Sequence, residues 1–100
     1  MKVQTVSKTG TGSSAAIVTN TNTSPFNIGF GVVVDGTVTY TVQHTFDDPG
    51  VGFSVWYSHP SVAAQTGNDD GNYAFPVTGV KVLVTAGDGT ATLNLVQAGI

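Results

Sequence analysis

Residues 26–46 read FNIGFGVVVDGTVTYTVQHTF, and this stretch decides the fold class. Apolar residues and one histidine occupy even-numbered positions on both sides of a central Asp-Gly, while the odd-numbered positions are mostly Gly and Thr. Such alternation is typical of strands that bury one face. Because both apolar sets are even-numbered, a loop over 34–36 with Gly36 in the left-handed conformation would pair Val32 with Val38. The stretch therefore predicts a β-hairpin.

The segment 79–97 shows the same alternation on both sides of a second Asp-Gly. A two-residue turn at that dipeptide would pair Val84 with Leu93 in a second hairpin. Turn-forming clusters of Gly, Pro, Asn and Asp separate about eight candidate strands along the chain. We therefore expect residues 1–100 to form one domain, an all-β, small antiparallel β-sandwich. At this point jelly-roll and immunoglobulin-like topologies both stay open.

Charged side chains make up only 9% of the chain, with no arginine or glutamate, and the formal net charge is -3 at pH 7. A neutral polar surface can be covered by another protein without the desolvation cost of burying ions. The sequence lacks a basic patch, which argues against nucleic-acid binding. It also lacks an apolar run long enough for a membrane span or a signal peptide. We expect synthesis in a cytoplasm and no membrane association.

The candidate catalytic and metal-ligating residues are few. The cluster Asn68–Asn72 is rich in oxygen ligands, but calcium sites need more of them, so we interpret it as a turn. His44 and His59 lack the spacing of a zinc site, and His44 continues the apolar face of its strand. The sequence contains neither a G-x-S-x-G motif nor a phosphate-binding glycine motif. We predict no catalytic, metal or cofactor site and no enzymatic activity.

The most prominent aromatic pair is Trp56-Tyr57. On a strand the odd-numbered residues from 53 to 57 would share one face, with Trp56 on the other among serines. Two interpretations stay open: an outward Trp56 that anchors a partner, or a core Trp56 with Tyr57 outward. We expect partner contacts at this pair and at the two terminal strands. The candidate contact residues are Trp56, Tyr57, Val3, Leu95 and Ile100.

Five segments carry a family resemblance: VTYTVQHTFDD (38–48), WYSHP (56–60), NYAFPVTGVK (72–81), TAG (85–87) and TATL (90–93). Through them the chain resembles small, threonine-rich virion structural proteins of tailed bacteriophages. The resemblance implies a capsid decoration or cement protein on the virion surface, with the major capsid protein as its partner. It also implies a homo-oligomer, for which shell symmetry suggests a trimer. The alternative is a tail or fibre module, structural or carbohydrate-binding, that grips a sugar through Trp56 and Tyr57.

Overall fold

Two antiparallel sheets make up the protein in a computed structural model that describes residues 2–19, 28–47, 52, 55–73 and 77–97. The all-β prediction is confirmed, with nine strands and no helix in these ranges. None of these residues forms a membrane-spanning helix. The strands are β1 (Lys2–Thr9), β2 (Gly12–Ser13), β3 (Ile17–Val18), β4 (Ile28–Asp35), β5 (Val38–Thr45), β6 (Tyr57–Ser58), β7 (Asp69–Tyr73), β8 (Gly79–Gly87) and β9 (Thr90–Gln97).

The strand order identifies the topology. The first sheet has the order β1-β9-β4-β7, and the second has β2-β8-β5-β6, with β3 also paired to β8. When the two orders are read side by side, the strands at each position are consecutive along the chain: β1 with β2, β9 with β8, β4 with β5, and β7 with β6. When β2 and β3 are counted as one interrupted edge strand, this is the arrangement of a jelly roll. An immunoglobulin-like sandwich would instead place several consecutive strands side by side in one sheet.

Both predicted hairpins are wrong. β4 pairs with β9 and β7, whereas β5 pairs with β8 and β6, so the connection between β4 and β5 crosses from one sheet to the other. The connection between β8 and β9 crosses in the same way. Alternation reports only which face of a strand is buried, and two strands facing each other from opposite sheets satisfy it as well as paired neighbours do. The left-handed conformation predicted for Gly36 is confirmed, with φ of 84°.

These crossing connections, which we call arches, stack at one end of the sandwich. The Gly89 amide donates to the Thr37 carbonyl at 2.9 Å, and the Gly10 amide donates to the Gly89 carbonyl at 3.1 Å. A Cβ at position 89 would lie 2.5 Å from the carbonyl oxygen of Asp35. Glycine is therefore required at position 89 for the backbones to approach this closely.

The core lies between the inner faces of the two sheets. The even-numbered side chains of β4 neighbour the odd-numbered side chains of β9 within the first sheet, as in the cross-strand pairs Phe30 with Leu95 and Val32 with Leu93. The predicted burial of the even-numbered positions in 28–32 and 38–44 is confirmed. The core consists of Ile17, Ile28, Phe30, Val32, Val38, Tyr40, Val42, Val62, Tyr73, Val77, Val80, Val82, Val84, Ala91, Leu93 and Leu95.

Candidate protein interface

Three large apolar side chains are exposed together where β5 ends and β6 begins. Phe46 is 52% exposed, Val55 is 50% exposed and Tyr57 is 49% exposed. The rings of Phe46 and Tyr57 are 5.5 Å apart between centroids, so they form one continuous surface. We call these three residues the aromatic patch. Contiguous exposed apolar surface of this kind is typical of interaction sites.

Hydrogen bonds hold the backbone of the aromatic patch in place. The Thr45 hydroxyl donates to the Val55 carbonyl at 2.7 Å. The Val55 amide donates to the Asp47 carboxylate at 2.8 Å. On the other side, the Thr78 hydroxyl donates to the Asp47 carbonyl at 2.6 Å. Phe46 and Val55 are thereby fixed side by side, although they are distant in sequence.

His44 supports the aromatic patch from the interior. Its ring stacks on Tyr57 with centroids 5.9 Å apart and meets the edge of Phe46 at 5.4 Å. Its Nδ1 lies 2.9 Å from the Tyr73 hydroxyl. Burial, followed by the nearby His59, lowers the pKa of His44, and burial raises the pKa of Tyr73. Both groups are therefore neutral near pH 7, and the tyrosine can donate to an unprotonated Nδ1.

His59 is used within the fold. Its Nδ1 accepts hydrogen bonds from the amides of Ser61 at 3.1 Å and Val62 at 3.2 Å, and its Nε2 lies 3.2 Å from the Asn72 carbonyl. Nε2 therefore carries the proton and donates it to that carbonyl. The ring fixes the segment after β6 to β7, which is a structural role. Across the part of the chain that the structure describes, no group of three or more His, Cys, Asp or Glu residues could hold a metal.

Trp56 and Tyr57 do not form one platform. Tyr57 pairs with His44 and shares its inward face, while Ser58 pairs with Gln43 and faces outward. Trp56 is half-buried on that outer face, where the Lys81 ammonium lies 4.3 Å from the centroid of the Trp56 ring. Opposite faces for the two rings match the alternation predicted from sequence. The exposure of Tyr57 shows that this side chain lies at an uncovered edge of the sandwich.

The remaining predicted contact residues have different surroundings. Val3 is 60% exposed on β1. Leu95 is fully buried in the core, because it faces inward on a central strand, so it is not a surface residue. Ile100 lies outside the described residues. Phe46 and Val55 belong to the patch but were not predicted as contact residues from the sequence. Alternation assigned Phe46 to the buried face of its strand, whereas β5 ends one residue before it.

The Asn68–Asn72 cluster also differs from its prediction as a turn, because residues 69–72 belong to strand β7. The side-chain carbonyl oxygen of Asn68 accepts from the Val34 amide at 2.9 Å. Together with neighbouring strands, the cluster lines a shallow depression of about 330 Å³. The lining residues are Gly31, Val32, Val33, Asn68, Asp69, Asp70 and Asn94.

Comparisons with protein families, with curated proteins and with solved structures gave no match to this chain.

Proposed function

We propose that this protein is a non-enzymatic virion protein of a tailed bacteriophage that decorates the capsid by binding the major capsid protein. In this proposal it is made in the host cytoplasm and ends on the capsid surface. The observation that carries the proposal is the aromatic patch, which exposes three large apolar side chains at one edge of a sparsely charged sandwich. Jelly-roll domains are common in viral capsids, which supports the same conclusion by analogy.

The geometry of the patch suits a contact with another protein. The rings of Phe46 and Tyr57 rest on each other and on His44, so little side-chain freedom is lost when a partner covers them. Few charges would be buried with them. A capsid presents many identical sites, and modest single contacts act together when they are displayed at high effective concentration.

Co-sedimentation with empty, expanded capsids of the phage that encodes the protein tests this proposal. We expect saturable binding that weakens at least tenfold in Tyr57→Ser and in Phe46→Ser, because truncating a buried ring at an interface costs about 2 kcal/mol or more. Val33→Ser is the matched control, since Val33 is 51% exposed on the opposite sheet. Absence of binding at saturating protein, or equal losses in all three variants, would contradict the proposal.

The carbohydrate-binding alternative needs a different result. Since Trp56 and Tyr57 project from opposite faces of the edge strand, a sugar could stack on only one of them at a time. Titration of the protein with host glycans while tryptophan fluorescence is recorded separates the two ideas. We expect no change, and saturable quenching would favour the alternative.

A further inference from the structure

Strand β1 presents a long open edge. It is the outer strand of its sheet and pairs with β9 along all eight of its residues without a register shift. In the described ranges no strand pairs with its other side. The Gly10 amide bonds to the Gly89 carbonyl and continues the ladder. Because hydrogen bonding alternates along an antiparallel pair, the even-numbered residues of β1 bond to β9 and the odd-numbered ones direct their amides and carbonyls outward.

The inward side of β1 carries an unsatisfied polar atom. Gln4, Val6 and Lys8 pair with inward-facing residues of β9, and Val6 packs against the core. The Gln4 side-chain oxygen Oε1 is buried and has no hydrogen-bond partner in the part of the protein described. Such an oxygen costs free energy until it finds a donor. Of the devices that protect exposed edges, β1 lacks proline, bulges and short length, and it has an inward lysine at position 8.

We infer that β1 pairs antiparallel with β1 of a second copy, about a two-fold axis at Val6, so that the two sheets join into one. Because the odd-numbered residues direct their backbone groups outward, they must pair with odd-numbered residues of the second copy. The two-fold axis must then pass through a residue, because an axis between two residues would pair odd-numbered with even-numbered positions. An axis at Thr5 would place two lysine positions, Lys2 and Lys8, opposite each other, which is unfavourable. An axis at Ser7 would shorten the ladder.

The axis at Val6 also provides a donor for Gln4. It places Gln4 opposite Lys8 of the second copy, and the same pair forms twice by symmetry. Oε1 of Gln4 has no hydrogen-bond partner in the described ranges. In this register the lysine ammonium of the second copy is the donor opposite it, and hydrogen bonds to charged donors are the stronger ones. An inward lysine normally opposes edge pairing, but in this register it meets an acceptor.

Single-cysteine variants test the register directly, because the natural chain has no cysteine. In a non-hydrogen-bonded pair the Cα atoms are about 4.5 Å apart, within the range that a disulfide spans. Under mild oxidation we expect Val6→Cys to form a covalent dimer at least tenfold faster than Thr5→Cys or Ser7→Cys. Urea unfolding of the reduced variants verifies that each is folded. Fastest cross-linking at position 5 or 7, or equal rates at all three, would overturn the inference.

Sedimentation equilibrium of the full chain supplies a second test without cysteine. We expect a dimer that Gln4→Glu tightens and Gln4→Lys weakens, each by roughly threefold to thirtyfold, because two pairs form per dimer. Added salt should shrink both effects. A monomer at all concentrations, a trimer, or changes of the same direction in both variants would overturn the inference. None of these outcomes depends on capsid binding, so the proposed function is tested separately.

Discussion

The stacked arches permit a test in which the two reasons for needing glycine are varied separately. Gly87 has a left-handed φ of 93° and is crowded by the Thr37 carbonyl. Gly89 is also crowded by backbone atoms but has no left-handed φ. Gly10 is left-handed, with φ of 73°, but has no atom within 4 Å of the position that a Cβ would occupy, and Gly29 has neither constraint. Replacing each glycine by alanine therefore separates strain in the backbone from steric conflict.

The expected effects follow from these surroundings. Gly29→Ala should stabilise the fold by about 0.4–1 kcal/mol, because alanine lowers the entropy of the unfolded chain. Gly10→Ala should cost about 1–2 kcal/mol because alanine is forced into the left-handed conformation. The entropy gain of about 0.4–1 kcal/mol in the unfolded chain offsets part of this cost. Gly89→Ala should cost about 1–3 kcal/mol, because the methyl group forces the arches apart. Gly87→Ala carries both penalties and should cost about 2–5 kcal/mol.

Urea unfolding followed by circular dichroism measures all four variants. Stability changes should appear as shifts of the midpoint with an unchanged slope. Gly89→Ala should be less stable than Gly29→Ala, and Gly87→Ala should be less stable than Gly10→Ala, since each comparison isolates the steric conflict at one site. If Gly89→Ala were as stable as Gly29→Ala, the arches would not be in contact and the reasoning would be refuted.

The surroundings of His44, Tyr73 and Lys81 lead to three further predictions. Burial lowers the pKa of His44 below 6.5, so the unfolded state binds the proton first and the free energy of unfolding should fall as the pH falls through about 6.5. His44→Asn should remove that part of the slope in urea titrations, and an unchanged slope would contradict it. Tyr73→Phe should cost about 1–3 kcal/mol in thermal unfolding, because it leaves the imidazole without the hydroxyl 2.9 Å away. Lys81→Met should cost about 0.5–1 kcal/mol by removing the ammonium over Trp56, while Lys81→Arg should retain stability.

The buried faces of the strands could be predicted from the sequence, but their pairing could not. Alternation through Val38, Tyr40 and Val42 identified inward side chains, because burial acts on each residue separately. The partner of a strand depends on whether its connecting loop turns within a sheet or crosses to the other one. An Asp-Gly dipeptide permits both. The crossing is stabilised by contacts between distant arches, such as Gly89 with Thr37, which no local pattern reveals.

The candidate interface could likewise be predicted from the sequence only in part. Alternation placed Trp56 and Tyr57 on opposite faces, which the pairing of β6 with β5 supports. The exposure of Phe46 and Tyr57 depends on how far the opposite sheet extends, and that is a property of the whole fold. The burial of Leu95 has the same origin, because a terminal position in sequence became a central strand in the sheet.

The two proposed contact surfaces, the open edge of β1 and the aromatic patch, lie on different parts of the sandwich, and both can therefore be occupied at once. The strand β1 is the first in its sheet, whereas the aromatic patch adjoins β6, the last strand of the other sheet in matching order. The two surfaces therefore lie at opposite edges of the sandwich. Pairing through β1 would leave both aromatic patches uncovered and direct them away from the two-fold axis. A weak contact at one patch would then become a two-point attachment between neighbouring partner molecules, which is the geometry that a bridging protein requires.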